Sequence, residues 1–377
     1  MLVVIGFVLI ILLVIAHEAG HFFAARRNGI EVEEFGVGFP PKAKTIAKKN
    51  GTEYTLNWLP LGGFVKLKGE HDADTEPGSF GAASLKAKIK VMVAGVGMNF
   101  LIAYLLFTVI ALIGMPILVD NQFSVASNAT TMRQDVLAGY VEPESPGAIG
   151  GLEVNDTIVS ISESGDCTEC RTFVLTDSEQ LGQATSSLAG EAVSIEVVRG
   201  DESLTLSTTL LDEQTVTESK ETDDPKGYLG VVPTEFRSER YTWAAPIVGA
   251  GLTVQFTELT FKGLWNIVTG LLQGDTATAT EQVSGVVGVG YIFSSASFLG
   301  PVFMLMIVAV ISLSLAIMNI LPIPALDGGR LFVTLLYRAM RKPLTQKTEE
   351  RIHGTGFALL MVLFVLITIV DVNRFIL

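Results

Sequence analysis

The stretch His17-Glu18-Ala19-Gly20-His21 falls inside the first long apolar run of this sequence, residues 2–25. Ionisable residues within such a run are costly and usually functional. On a helix, positions four apart share a face one turn apart. His17 and His21 therefore offer two imidazole nitrogens to a single metal ion. Glu18 is offset round the helix, close enough to take a proton from a metal-bound water. This is the His-Glu-x-x-His arrangement of zinc-dependent hydrolysis, with the glutamate as general base. The competing reading is a chance match or a pair of hydrogen-bonded core histidines. It must explain why two of the chain's four histidines share one apolar segment.

The rest of the chain has the composition of a membrane protein. Its 377 residues have a mean hydropathy of +0.47 and only 17% are charged, too apolar for an ordinary soluble protein. Runs near the roughly 20 residues that cross a bilayer occupy residues 2–25, 91–119, 299–321 and 355–370. A polar, acidic insert separates the second from the third and carries most of the net charge of −13. The fold class predicted is a polytopic α-helical membrane protein with four transmembrane helices, a small membrane-associated β segment and an inserted extracytoplasmic β-rich α+β domain. Its divisions are a first membrane half (1–119), the extracytoplasmic domain (120–233), an amphipathic helix and loop (234–298) and a second membrane half (299–377). The bilayer is the implied partner, and no basic tract points to nucleic acid.

Orientation follows from basic residues, which favour the cytoplasmic side. Arg26, Arg27, Lys42, Lys44, Lys48, Lys49, Lys66, Lys68, Lys86, Lys88 and Lys90 lie between the first two spans, and Arg330, Arg338, Arg341, Lys342, Lys347 and Arg351 between the last two. Both connections are expected in the cytoplasm, with the acidic insert and both chain ends outside. The first run lacks a basic leader and a small-residue cleavage site, so it reads as a retained span.

Within the first connection, Gly36-Val37-Gly38 and Leu61-Gly62-Gly63-Phe64 punctuate segments that partly alternate, residues 53–59 and 64–68, as short strands do. A small sheet beside the motif could hold an extended substrate on an open edge; equally, the glycines could simply make turns. His71, in a polar loop, reads as solvated. Gly95-Val96-Gly97-Met98-Asn99 opens the second span, where small residues permit close helix packing.

In the insert, a strand around Gly139-Tyr140-Val141 leads through Ser145-Pro146 and Asn155-Asp156 to a second strand, residues 157–161. A hairpin over residues 192–210 and a closing strand at 228–231 follow. This core resembles the PDZ domains of bacterial membrane and periplasmic proteases, which bind extended peptides by strand addition. The carboxylate-receiving loop is expected at Gly139, Tyr140 and Val141; the alternative is a domain that acts by bulk alone. Cys167 and Cys170 are the only cysteines and could close a small disulfide loop in an oxidising exterior. Residues 241–272, with Val254, Leu259, Leu264, Val268 and Leu271 at helical spacing, read as an amphipathic helix at the outer surface, followed by a Thr- and Gly-rich loop.

The third span ends in Asn319-Ile320-Leu321-Pro322-Ile323-Pro324-Ala325-Leu326-Asp327-Gly328-Gly329. Two prolines one residue apart break the helix, and irregular backbone at membrane depth needs protein or a water cavity around it. Asp327 offers the third metal ligand; the alternative is a helix cap.

Together, the first-span motif, the insert and residues 319–329 resemble the site-2 protease family of intramembrane zinc proteases, and the layout looks like its bacterial regulator-of-sigma members with one PDZ domain. The resemblance implies that His17, His21 and Asp327 bind one Zn2+ and that Glu18 activates water. It also implies that Asn319, Gly36, Gly38, Gly62, Gly63 and Phe64 handle substrate. The implied substrates are single-pass membrane proteins already trimmed by another protease. The chain departs from the family at Val96, where proline is common, and at Ser284-Gly285-Val286, where Ser-Gly-Pro is frequent. The rival class is a membrane-anchored PDZ adaptor with a structural or inactive zinc site, indifferent to Glu18→Gln. A transporter with a midplane metal site would show an inverted repeat, and none is evident.

Overall fold

The computed structural model describes residues 2–165, 170–200, 202–222, 225–275, 285–295 and 299–376. It divides into two compact units. One comprises Met1–Ile113, Gln122–Val125 and Thr242–Leu377; the other comprises Gly114–Asn121 and Ala126–Tyr241.

In the first unit, α1 (Leu2–Arg27) carries the histidine motif and ends on Arg26 and Arg27, cations that suit the negative end of a helix dipole. Then β1 (Val32–Lys49) and β2 (Thr52–Leu67) form one antiparallel pair, longer than the short strands expected. Repeated register shifts bend it. Residues 34–37 lie opposite both 63–66 and 53–56, so segment 63–67 takes an outer position. Phe35 and Tyr54 pack on Phe22 of α1, which fastens the hairpin to the motif helix.

The second apolar run does not form one helix over 91–119. A single turn residue, Val93 (φ −92°, ψ −6°), divides α2 (Leu85–Met92) from α3 (Ala94–Ile113), while helical hydrogen bonds from Val93 to Ile89 and from Gly97 to Val93 run through it. The run also ends early, because Gly114 has φ 158° and Met115–Pro116 form the short strand β3 of the second unit.

Among the described residues, four helical segments are long and apolar enough to cross a membrane: Val4–Arg27, Leu85–Ile113 (α2 and α3 together), Pro301–Ile320 and Gln346–Phe375. Centrally, α3 packs against α1, against α7 (Ala245–Gln273), and against α9 (Pro301–Ile320). A shorter helix, α8, covers Val286–Ser295. Helix α7 buries Val248, Leu252 and Phe256, the last stacked on Phe107 with ring centroids 5.6 Å apart. Val254, Leu259, Val268 and Leu271, expected to mark its apolar face, are exposed. The face that packs is set by Gly249, which lets α7 approach Thr108 of α3 closely. Then α10 (Asp327–Ala339) and α11 (Gln346–Phe375) complete the unit.

The second unit adds β4 (Thr130–Val141), α4 (Pro146–Ile149), β5 (Thr157–Glu163), β6 (Thr172–Val174), α5 (Ser178–Ser187), β7 (Ala192–Arg199), β8 (Glu202–Thr209), α6 (Glu213–Ser219) and β9 (Val231–Arg240). Its sheet has the order β3-β9-β4-β5-β7-β8, with β6 on β5. Strand β7 buries Val193, Ile195 and Val197 at the two-residue period of a half-buried strand. Ile158, Ile161, Leu181 and Leu188 close the core over them. The Ser145 hydroxyl accepts the Ala148 N–H and caps α4, with Pro146 in its first turn. The closing strand begins only at Val231 and runs to Arg240. Gly230, at φ 70°, turns the chain into it.

Candidate metal centre

On α1, His17 and His21 stand one turn apart with their Nε2 atoms 3.2 Å from each other. Asp327 reaches them through an irregular connection. After Ile320 ends α9, Leu321 turns extended (φ −64°, ψ 148°) and Ala325 takes a left-handed φ of 79°. Asp327 then opens α10, whose N-cap position is Leu326. So Asp327 is the first helical residue rather than the cap, and its Oδ2 lies 3.1 Å from each Nε2. Gly328 and Gly329 permit this return. A Cβ on either would overlap the carbonyl of Ile320 or of Ile323.

These three atoms form a nearly equilateral triangle. Tetrahedral zinc with bonds of about 2.0–2.1 Å has ligand–ligand edges of about 3.3–3.4 Å. The triangle is slightly tighter than that. The His21 Nδ1–H donates to the Val91 carbonyl at 2.7 Å, which leaves Nε2 with a free lone pair toward the centre. Val91 is near the end of α2. His17 Nδ1 is buried without a partner. No other group of three potential ligand side chains clusters among the described residues.

Two glycines bring α3 against the motif. A Cβ on Gly95 would stand 2.6 Å from His17 Nε2 and overlap His21 Nε2. A Cβ on Gly20 would be 2.6 Å from the Ala94 carbonyl oxygen. Sequence reasoning took Gly95 for helix packing; what it packs against is the imidazole pair.

Glu18 faces segment 63–67. Its Cγ is 3.5 Å from where a Gly63 Cβ would be. The glycines of the hairpin are not merely turns. The Phe64 ring covers Gly36, and the Phe39 ring covers Gly62, 2.7 Å from an ideal Cβ position there. Such aromatic–glycine pairs hold a bent sheet together. Gly38 and Gly62 have φ 81° and 80°. Asn319 is half-buried near the end of α9.

A cavity of about 450 Å³ opens beside Asp327, lined also by His71, Arg330, Glu349 and His353. All four histidines thus gather near the centre. His71 is 3.7 Å from both Glu349 and Glu350, and His353 Nδ1 accepts the Ala325 N–H at 3.0 Å.

Gly139, Tyr140 and Val141 are strand rather than loop. Tyr140 pairs with Val232 and Val141 with Val231, so β9 takes one edge of this stretch. Cys167 lies outside the described residues; Cys170 lies within them.

Residues 5–363 match the model of peptidase family M50. A Clostridium perfringens protein named "Putative zinc metalloprotease" is 33% identical over 362 residues, covering 96% of this chain and 95% of that one. Zinc metalloprotease RasP of Geobacillus kaustophilus is 26% identical, covering 96% of each chain.

Proposed function

The chain belongs to peptidase family M50, and from that premise we propose an intramembrane zinc metalloprotease in which His17, His21 and Asp327 hold the ion and Glu18 is the general base. The observation that carries this reading is the 3.1–3.2 Å triangle of two Nε2 atoms and one carboxylate oxygen, with Glu18 on the same helix. When bound, zinc supplies Lewis acidity toward water and toward the scissile carbonyl.

The remaining steps belong to the chain's own residues. Glu18 takes a proton from the attacking water and passes it to the leaving amine. A substrate helix must unwind to be cut, because its amides are bonded internally. Segment 63–67, outermost in the hairpin and beside Glu18, takes the unwound stretch by main-chain hydrogen bonds. Gly36, Gly38, Gly62, Gly63 and Phe64 shape that edge, and Asn319 handles substrate near the end of α9. The cavity beside Asp327 admits water.

In this reading, the basic connections face the cytoplasm and the acidic unit and both chain ends lie outside. Substrates are single-pass membrane proteins shortened by a prior cut. The acidic unit screens them, by strand addition in the manner of a PDZ domain or by bulk.

The test is cleavage of a co-expressed, tagged single-pass protein lacking its outer domain, by wild type and by Glu18→Gln. A product of inner-span size made by wild type alone is expected. Equal products from both would assign the cut to another enzyme. Function that survives Glu18→Gln would instead support the membrane-anchored adaptor.

A further inference from the structure

We propose that α10 runs from the metal centre to the membrane surface and that Arg338, Arg341 and Lys342 at its end bind the phosphate of an anionic phospholipid. The helix has 13 residues, about 20 Å of rise, and cannot cross a hydrocarbon core of about 30 Å. Yet it joins α9 to α11, both long and apolar enough to span. Asp327 at its start meets His17 and His21, so its far end is what reaches the surface from which α11 sets out.

Its side chains fit that place. Phe332, Leu335, Leu336 and Met340 follow helical spacing and are 39–49% exposed. On a neighbouring face, Val333 and Thr334 are buried against the protein. An exposed apolar stripe beside a packed face, on a helix between two spans, matches an acyl-chain boundary.

The basic end supplies the second half. The Lys342 N–H donates to the Tyr337 carbonyl at 3.0 Å, and Arg341 takes φ 55°, so the helix closes in a left-handed turn. Arg338, Arg341 and Lys342 line a cavity of about 680 Å³ with Tyr337, Thr345 and Gln346. Gln346 begins α11, so the first N–H groups of a 30-residue helix start at the same cavity. Asp72 also reaches the cavity, but its carboxylate is paired with Lys88. Among the described residues, none of the three cations has a carboxylate within ion-pair distance. Cations alone would serve orientation of the spans. Convergence of three on one concave site, continuous with an apolar stripe, fits a lipid with a charged head and an apolar tail.

The full-length protein in neutral-detergent micelles, supplied with phosphatidylglycerol or phosphatidylcholine, is examined by native mass spectrometry. Retained phosphatidylglycerol, with at least tenfold lower occupancy by phosphatidylcholine, is expected. The combined Arg338→Gln, Arg341→Gln and Lys342→Gln variant should lose phosphatidylglycerol by a similar factor, while Arg338→Lys with Arg341→Lys retains it. Lys44→Gln with Lys48→Gln and Lys49→Gln, a basic cluster elsewhere, should bind as wild type does. Equal retention of the two lipids, or undiminished binding by the triple variant, would overturn the proposal. So would complete displacement by millimolar inorganic phosphate, which would mark a free-phosphate site.

A second measurement tests the stripe without touching the cations. In vesicles of phosphatidylglycerol brominated near the head of the acyl chain, Leu336→Trp should add fluorescence that is quenched more than that of the native tryptophans. Unquenched added emission would remove α10 from the membrane surface.

Discussion

Gly95 and His21 face each other so closely that the space a Cβ would need at Gly95 is filled by the Nε2 edge of the imidazole. Helix α3 thus presents bare backbone to the two histidines, and α1 and α3 can meet without displacing either ring. Gly95→Ala should push His21 off its bond to Val91 and open the ligand triangle. The expected result is about a 10–100-fold loss of zinc affinity, the range seen when orienting groups of a metal site are lost. Gly97→Ala is the control, since nothing lies within 4 Å of a Cβ there. Zinc per protein after dialysis against a graded chelator measures both. Equal retention by the two variants would contradict the geometry.

His353 acts at one remove. By accepting the Ala325 N–H it holds a non-glycine residue at φ 79°, two positions before Asp327. Its Nε2 is buried without a partner, so the ring serves through Nδ1 alone. Asparagine places an oxygen acceptor near the same point; alanine does not. His353→Ala is expected to weaken zinc binding about tenfold, and His353→Asn to restore most of it. If both variants lose zinc equally, the ring's bulk rather than its acceptor matters.

What the sequence made legible was periodicity and motif chemistry. His17, Glu18 and His21 were readable because each is a costly residue in an apolar setting, Asp327 because it follows the proline-broken end of a span, and the four spans because the runs are long. Less legible were features set by contacts distant in sequence. The turn at Val93 falls inside an unbroken apolar run, and no local pattern marks it or the bond from the nearby Val91 carbonyl to His21. The packed face of α7 depends on Gly249 meeting Thr108, which no local pattern encodes. The resemblance to a PDZ groove placed a carboxylate-receiving loop at Gly139–Val141, but a register shift between Ala138 and Tyr140 keeps that stretch within β4.

Lys88 is completely buried, its ammonium against Asp72 and 5.6 Å from the Phe80 ring centroid. Removing one member of a buried pair strands the other charge and costs about 3–5 kcal/mol, whereas replacing both costs far less. Lys88→Met should therefore lower the thermal midpoint in detergent markedly, and Lys88→Met with Asp72→Asn should recover most of it. The Asp72 backbone N–H also donates to Glu349 at 3.0 Å. Loss of the pair should accordingly raise hydrogen exchange over residues 70–74. A double variant as unstable as the single would mean that the lysine stem, not its charge, is what the site requires.

The second unit should weaken in acid. Hydrogen bonds from the Ser178 hydroxyl and backbone N–H hold Glu235 below its usual range, and the Thr215 backbone N–H does the same for Asp212 at the start of α6. A carboxylate whose folded pKa is depressed contributes stability that is fully present above its unfolded value, about 4.3 for Glu and 3.9 for Asp. That contribution is lost as the pH falls toward the folded value. Both groups act at helix beginnings, α5 through Ser178 and α6 through Asp212, so the loss should be local. Hydrogen exchange of the full-length protein, corrected for intrinsic rates, should show less protection over residues 178–184 and 213–219 at pH 3.5 than at pH 6. The core of β7 should change little over that range. Glu235→Gln should remove the pH dependence at α5 while leaving that at α6, since Asp212 caps α6 independently. Acid sensitivity at α5 that persists in Glu235→Gln would place its origin in another carboxylate.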